Sequence, residues 1–220
     1  MAPHGLGAAS GERAGDVHPV RREVLAVAAW RRFDRGVVLF HEGEAGGSLY
    51  VLMRGQVAIR VTTSDGDTAT LNVIGPGAAF GELSLLDPAA QRTATVQAIE
   101  PTQTLVLQRA DFERLRRSYP SVDRLLAEYL AAQVRRLSER LTEALCFEAR
   151  IRVLRRLLEL DGVFDGGPVS VTQEEIATMA GTTRPTVNRV MQDLAEAGIV
   201  ELGRGRFTVA DPTALARAAR

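Results

Sequence analysis

From about residue 32 the chain runs in brief stretches of alternating apolar and polar positions, at 37–40, 49–53, 56–61, 68–74, 93–99 and 104–108. Gly, Asp or Pro bounds each stretch, and a period of two with such punctuation predicts short β-strands of a sandwich or roll. Asp65-Gly66, between two of these runs, is a hairpin signal. Ahead of them, residues 24–30 read as a short apolar helix, and residues 1–22, rich in Gly and Ala, read as a flexible tail.

At Ala110 the period becomes helical. Residues 111–118 fit a short helix that ends near Pro120, and a longer one begins around Ser121. Within it Leu130, Val134, Leu137, Leu141 and Ala144 fall at alternating steps of four and three, the a/d seam of a coiled coil, while Arg135, Arg136, Glu139, Arg140 and Glu143 lie off it. A stripe so narrow, with charge on both sides, predicts that two chains zip together; packing of the helix on its own roll is the competing reading. Cys146-Phe147 interrupts the heptads, and a second amphipathic run (Ile151, Val153, Leu154, Leu157, Leu158, Leu160) follows, which places a hinge there.

Beyond the glycine-rich connection 161–168, a helix-turn-helix is legible from its caps. Thr172 with Glu175 three residues on makes a capping box, Gly181 ends that helix, Thr183 caps the next and Pro185 sits in its first turn. Ile176, Ala177 and Ala180 make one inner face, and Val187, Val190, Met191 and Leu194 the other. Arg184, Pro185, Thr186, Asn188, Arg189 and Gln192 are left outward to differing degrees. Arg suits guanine in the major groove and Asn suits adenine. The turn 203–206 followed by the strand 207–209 predicts a wing whose Arg204 and Arg206 meet phosphates.

Composition changes this picture little. The 220 residues carry 27 basic and 27 acidic side chains, and all 27 basic ones are Arg. Nucleic-acid binding therefore rests on local patches and not on net charge. The single cysteine, Cys146, excludes an intrachain disulfide framework and a multi-cysteine iron–sulfur or zinc site. His4, His18 and His41 are too scattered for a metal set, and no nucleophile–base constellation stands out, so neither a resident metal nor an enzyme is expected. No stretch has the length of a signal-peptide core or a membrane span, which predicts a cytoplasmic protein without membrane partners.

The remaining chemistry lies between 80 and 96. Gly81 allows a close turn, Glu82 precedes the short apolar run Leu83, Leu85, Leu86, the pair Asp87-Pro88 stops it, and Arg92-Thr93 follow. A guanidinium, a hydroxyl and freed backbone N–H groups converging on one small volume suit an anion. Glu82 does not suit a phosphate but can accept from a sugar hydroxyl beside one. A plain Glu82–Arg92 ion pair on a β-roll surface is the competing reading.

In order and spacing these residues resemble the phosphate-binding cassette of cyclic-nucleotide-binding domains. Phe33-Asp-Arg-Gly36, Val38-Leu-Phe40, Glu42-Gly-Glu44, Leu49-Tyr-Val51 and Gly55 extend the likeness upstream, and the long helix and helix-turn-helix extend it downstream. Over roughly residues 24–210 the chain resembles the Crp/Fnr family. The resemblance implies an α+β protein: tail 1–22, β-roll domain 23–120, dimerisation helix 121–146 and winged helix-turn-helix domain 147–220. It implies that Gly81 and Glu82 hold the ribose of a cyclic nucleotide, cyclic AMP or cyclic GMP, with Leu83 also at the ligand, and that Arg92 and Thr93 hold its phosphate. Arg136 would pair with Glu82. The two positions that present hydroxyls to adenine in the family's cyclic-AMP receptors hold Arg140 and Leu141, which weakens cyclic-AMP selectivity. Arg140 can meet a base or simply form an ion pair. Thr172, Thr183, Arg184, Pro185, Thr186, Asn188, Arg189, Arg204 and Arg206 would contact double-stranded DNA, Pro185 replacing a base-reading glutamate. The implied function is a homodimeric, allosteric transcription regulator that meets RNA polymerase. A roll that has lost its nucleotide, a regulatory subunit of an enzyme and a cupin-like metal enzyme are the alternatives.

Overall fold

A computed structural model describes residues 19–87 and 89–220. Residues 1–18 of the expected tail, and Pro88 of the turn after the cassette run, lie outside the described residues. In chain order the elements are α1 Pro19–Val27, β1 Ala29–Phe33, β2 Val38–Phe40, β3 Ser48–Arg54, β4 Val57–Thr62, β5 Thr68–Ile74, β6 Ala79–Phe80, α2 Leu83–Leu86, β7 Thr95–Ala98 and β8 Thr102–Gln108. Then come α3 Arg109–Ser118, α4 Ser121–Cys146, α5 Ala149–Val163, α6 Gln173–Met179, α7 Arg184–Glu196, β9 Val200–Gly203, β10 Arg206–Val209 and α8 Pro212–Ala218. Apart from residues 24–30 and the start of the connection 161–168, which α5 takes up as far as Val163, the strand, turn and helix periods of the sequence reappear in order.

Residues 24–30 do not form one helix. α1 begins at Pro19 and stops at Val27, and Trp30 lies in β1, opposite Leu105 of β8. A short apolar run fits helix or strand equally, and antiparallel pairing along all of β1, from Ala29↔Val106 to Phe33↔Thr102, decides it.

The described chain divides into two compact units, 19–57 with 75–137, and 58–74 with 138–220. In the first, β1, β8, β3 and β6 make a four-stranded sheet in that order, and β2 pairs antiparallel with β7 across a register shift between Val38 and Phe40. Leu52, Phe80, Val96, Ala98, Leu105 and Val106 are buried. Leu85, Leu107, Phe112, Leu115 and Val122 form a further buried cluster, with Val24 and Val27 of α1 against it. Each such side chain contributes about 1.5–3 kcal/mol on leaving water. Phe112 and Leu115, three apart, share one face of α3. That helix stops because Tyr119, ahead of Pro120, is forced extended (φ −137, ψ 96).

The second unit holds the β4–β5 hairpin, the end of α4, and everything from α5 onward. The hairpin closes through Thr63 and Asp67, whose N–H and carbonyl lie 2.8 Å apart, around Asp65-Gly66. α5 packs against α6, α7 and α8, burying Val153, Leu154, Leu157 and Leu160, while Ile176, Val187, Val190, Met191 and Leu194 close the core from the helix-turn-helix. Arg156 is 3% exposed, and its charge is met by Glu143 on α4 and by Glu159 at 2.7 Å, which fastens α4 to α5. A guanidinium buried that deeply needs both carboxylates.

Candidate functional site

Arg92 organises the first site. It is 6% exposed and donates from Nη1 to the carbonyls of Ser48 and Gly81, both at 3.0 Å, and to Ser84 Oγ at 2.7 Å; Nη2 donates to Ser48 Oγ at 2.9 Å. Its guanidinium lies over the Phe40 ring, 4.2 Å from the centroid, beside the stacked Tyr50 and Phe80 rings. All of these acceptors are neutral. Among the described residues no carboxylate comes within ion-pair distance of Arg92, and its Nε–H and second Nη2–H have no described acceptor. Burial pulls its pKa below the usual guanidinium value, partly offset by Tyr50, Glu44 and Glu82.

Gly81 is required twice over: its φ is +82°, and a Cβ there would meet Arg92 Nη1 at 2.5 Å. Gly46 is needed for space, since a Cβ would fall 2.0 Å from that of Ser84. Glu82 is half-buried at the N-cap position of α2, and Leu83 is exposed. Burial pushes the Glu82 carboxyl above the usual range, against its own backbone N–H and the charge of Arg92. Thr93 is exposed next to the buried arginine. Arg109 caps the far end of α2 by donating to the carbonyls of Ser84 and, at 3.2 Å, of Asp87.

On α4, Tyr129 donates to the carbonyl of Ala79 at 2.9 Å. Burial, then the charge of Glu82, raises its phenol pKa, opposed by Gln133 and Arg136. Tyr129 therefore stands beside the cassette, which the sequence reading missed; the signal was its place two helical turns before Arg136. Arg136 is exposed, and among the described residues no ion pair joins it to Glu82. Arg140 is bound to Asn72 Oδ1 at 2.8 Å, the Leu71 carbonyl at 3.3 Å and Glu159 at 3.4 Å, so an ion pair is among its roles.

The apolar stripe on α4 is open. Val134, Leu137, Leu141 and Leu145 are 62%, 67%, 60% and 76% exposed, Ala144 is exposed and Leu130 half-buried. Leu145, absent from the heptad reading, lies 11 residues after Val134, which is three helical turns.

In the second unit the capping box is present: Thr172 N–H and Oγ1 each donate to Glu175 Oε2 at 2.9 Å, and Glu175 N–H donates to Thr172 Oγ1. Arg60 of β4 grips the same carboxylate at 2.6 Å. Burial would raise the Glu175 pKa, but these bonds and the Arg60 charge outweigh it, and the carboxyl lies below the usual range. Thr178 Oγ1 accepts from Thr70 N–H at 3.2 Å and donates to the Thr70 carbonyl at 3.1 Å. Arg152 donates to the carbonyls of Ala180 and Gly181, which fixes the turn.

Thr183 occupies the N-cap position of α7 without a side-chain cap bond; its hydroxyl meets that of Thr186 at 3.1 Å. Arg184, Pro185, Asn188 and Arg189 are exposed, Thr186 is half-buried, and the opposite face of α7 is the buried one. Arg204 and Arg206 are exposed at the β9–β10 turn. Gln173, the first residue of α6, donates to Asn188 Oδ1 at 3.3 Å, a link that no sequence period announces. Among the described residues no acidic, His or Cys cluster suits a metal, and no helix is long and apolar enough to cross a membrane.

A β-roll with a buried arginine at its cassette, followed by a winged helix-turn-helix, defines an effector-controlled DNA-binding protein. Residues 30–119 match the cyclic nucleotide-binding domain and residues 151–218 the Crp-like helix-turn-helix domain. The "Cyclic AMP receptor protein" of Thermus thermophilus is 38% identical over 193 residues, 87% of this chain and 89% of its own. The "CRP-like cAMP-activated global transcriptional regulator" of Mycobacterium tuberculosis is 34% identical, over 86% of this chain and 87% of its own. The crystal structure of Thermus thermophilus Catabolite Activator Protein is 36% identical, with a TM-score of 0.54, covering 94% of this chain and 96% of that one. The chain belongs to the Crp/Fnr family of transcription regulators.

Proposed function

We propose that the chain is a homodimeric, sequence-specific regulator whose affinity for double-stranded DNA is set by a cyclic nucleotide, cyclic AMP or cyclic GMP, bound at the cassette. The observation that carries this reading is Arg92: a buried cation whose partners are all neutral. An uncompensated buried charge is costly, and an anion that takes its remaining N–H groups offsets that cost. Thr93 adds a hydroxyl to the phosphate, and Glu82, with Gly81 and Leu83 beside it, accepts from the ribose. Arg136 and Arg140 are the cationic groups that α4 brings to this reading, and the bonds Arg140 already makes favour loose discrimination between bases.

Dimerisation covers the stripe Leu130, Val134, Leu137, Leu141, Ala144 and Leu145. In each protomer Arg184, Thr186, Asn188 and Arg189 read one half-site, with Pro185 standing where the family has a base-reading glutamate and Thr172, Thr183, Arg204 and Arg206 against the backbone, and the half-sites lie about one helical turn apart. RNA polymerase is the partner this role implies.

Calorimetric titration with cyclic AMP and cyclic GMP tests the reading. Arg92→Ala is expected to weaken binding about 100-fold or more, since several charge-assisted bonds are lost, and light scattering should report a dimer that Leu137→Glu disrupts. Unchanged nucleotide affinity in Arg92→Ala removes the cassette from the reading.

A further inference from the structure

Asn188 does not stand alone on the exposed face of α7. Gln173 Nε2 donates to its Oδ1 at 3.3 Å, from the first position of the preceding helix. That donor is itself held in place. It follows Thr172 directly, whose N–H and hydroxyl are both committed to Glu175, and Glu175 is in turn gripped by Arg60 at 2.6 Å. On the other side, Val187 and Val190, 0% and 3% exposed, fix the rotation of α7 about its axis.

An Asn amide has one acceptor oxygen with two lone pairs and one NH₂ with two hydrogens. A neighbour that donates to the oxygen selects the amide orientation and still leaves the second lone pair and both Nδ2 hydrogens outward. That pattern, an acceptor beside a donor, matches the major-groove edge of adenine, whose N6 donates and whose N7 accepts.

We infer that Gln173 is a positioning residue for sequence readout: it presets Asn188 to read adenine at one base pair of each half-site. This rests on the DNA-reading role given to α7 above and adds to it a residue of the preceding helix, α6, and the base selected. Gln173 acts through Asn188 and touches no base.

The test is selection from a library of randomised half-sites by the full chain, with and without cyclic AMP and cyclic GMP, followed by affinities for the four bases at the selected position. Wild type is expected to prefer adenine there, and Asn188→Ala to lose the preference. Gln173→Met keeps the length and charge of the side chain but cannot donate. It is expected to lower the preference for adenine over the next base by about 2- to 10-fold, the range of one hydrogen bond. Affinity for sites that lack adenine at that position should be nearly unchanged.

In the Asn188→Ala background Gln173→Met should change nothing further, whereas a merely structural role would weaken all sequences alike in both backgrounds. The inference is overturned if Gln173→Met keeps the wild-type ratio, if its effect is the same without Asn188, or if another base is selected. Should wild type select no sequence at all, the DNA-reading role falls, and this inference with it.

Discussion

Glu82 and Glu175 each stand at the start of a short helix, yet their surroundings push them in opposite directions. Glu175 collects Thr172 N–H, Thr172 Oγ1 and Arg60 Nη2, and its carboxyl is held below the usual range despite burial. Glu82 is half-buried with no side-chain donor described on it, and burial raises its pKa against its own N–H and the more distant Arg92. The protein completes the first carboxylate and leaves the second open beside an unpaired buried cation. A finished carboxylate holds structure together, whereas an unfinished one keeps lone pairs for a further donor, as the ligand role proposed for Glu82 requires. The second unit therefore carries a helix-turn-helix braced by completed bonds, and the first carries a site whose bonding is incomplete.

The largest effect that this contrast predicts is on stability of the second unit. Glu175→Ala removes the carboxylate half of the capping box of α6 and an ion-pair partner of Arg60, and is expected to cost about 2 kcal/mol in urea unfolding followed by a probe in that unit. The sign with pH follows from the lowered pKa. The carboxylate's contribution is fully present above the unfolded value of 4.5 and is lost as pH falls through the lower folded value. Wild type and variant should therefore converge in acid. A difference that persists there would show that Glu175 acts by packing and not by charge.

A smaller loss is expected one helical turn along. Thr178→Val removes the hydroxyl that both accepts from and donates to the Thr70 backbone, at a cost of about 1 kcal/mol that does not vary with pH. Thr178→Ser, which keeps the hydroxyl, should unfold close to wild type. If Thr178→Val costs more than Glu175→Ala, the neutral clasp and not the charged cap is what fixes α6.

Much of this was legible in the chain, and what was not has physical reasons. Period-two runs with glycine stops gave the strands, and Thr172, Glu175, Gly181 and Pro185 marked the helix-turn-helix because capping and φ restrictions are local. Trp30 was misplaced because its strand is decided by a partner some 75 residues away in sequence, at Leu105. Ser48 on Arg92 and Arg60 on Glu175 were invisible for the same reason, being polar contacts between segments distant in sequence; Ser84 on Arg92 and Gln173 on Asn188 are nearer in the chain but cross a turn, and no period encodes such a polar contact. Leu145 was missed for another cause, a strict seven-residue repeat imposed on a helix that drifts from it.

The smallest effect separates the two glutamates most sharply, because it should have the opposite sign. In the ligand-free protein the raised pKa of Glu82 means that the folded state holds a proton more tightly than the unfolded one. Stability is therefore lost as pH rises from the unfolded value of 4.5 through the higher folded value, the reverse of Glu175. Glu82→Gln keeps the size and removes the charge, so at neutral pH it should stabilise the first unit slightly, with the gain vanishing in acid. The same variant should weaken cyclic-nucleotide binding, since an amide oxygen is a poorer acceptor for a ribose hydroxyl than a carboxylate. Gained stability together with lost affinity is the signature of a residue kept for its ligand. Unfolding measured across pH and calorimetry on one preparation can read both, and a loss of stability at neutral pH would place Glu82 with Glu175 among the structural carboxylates.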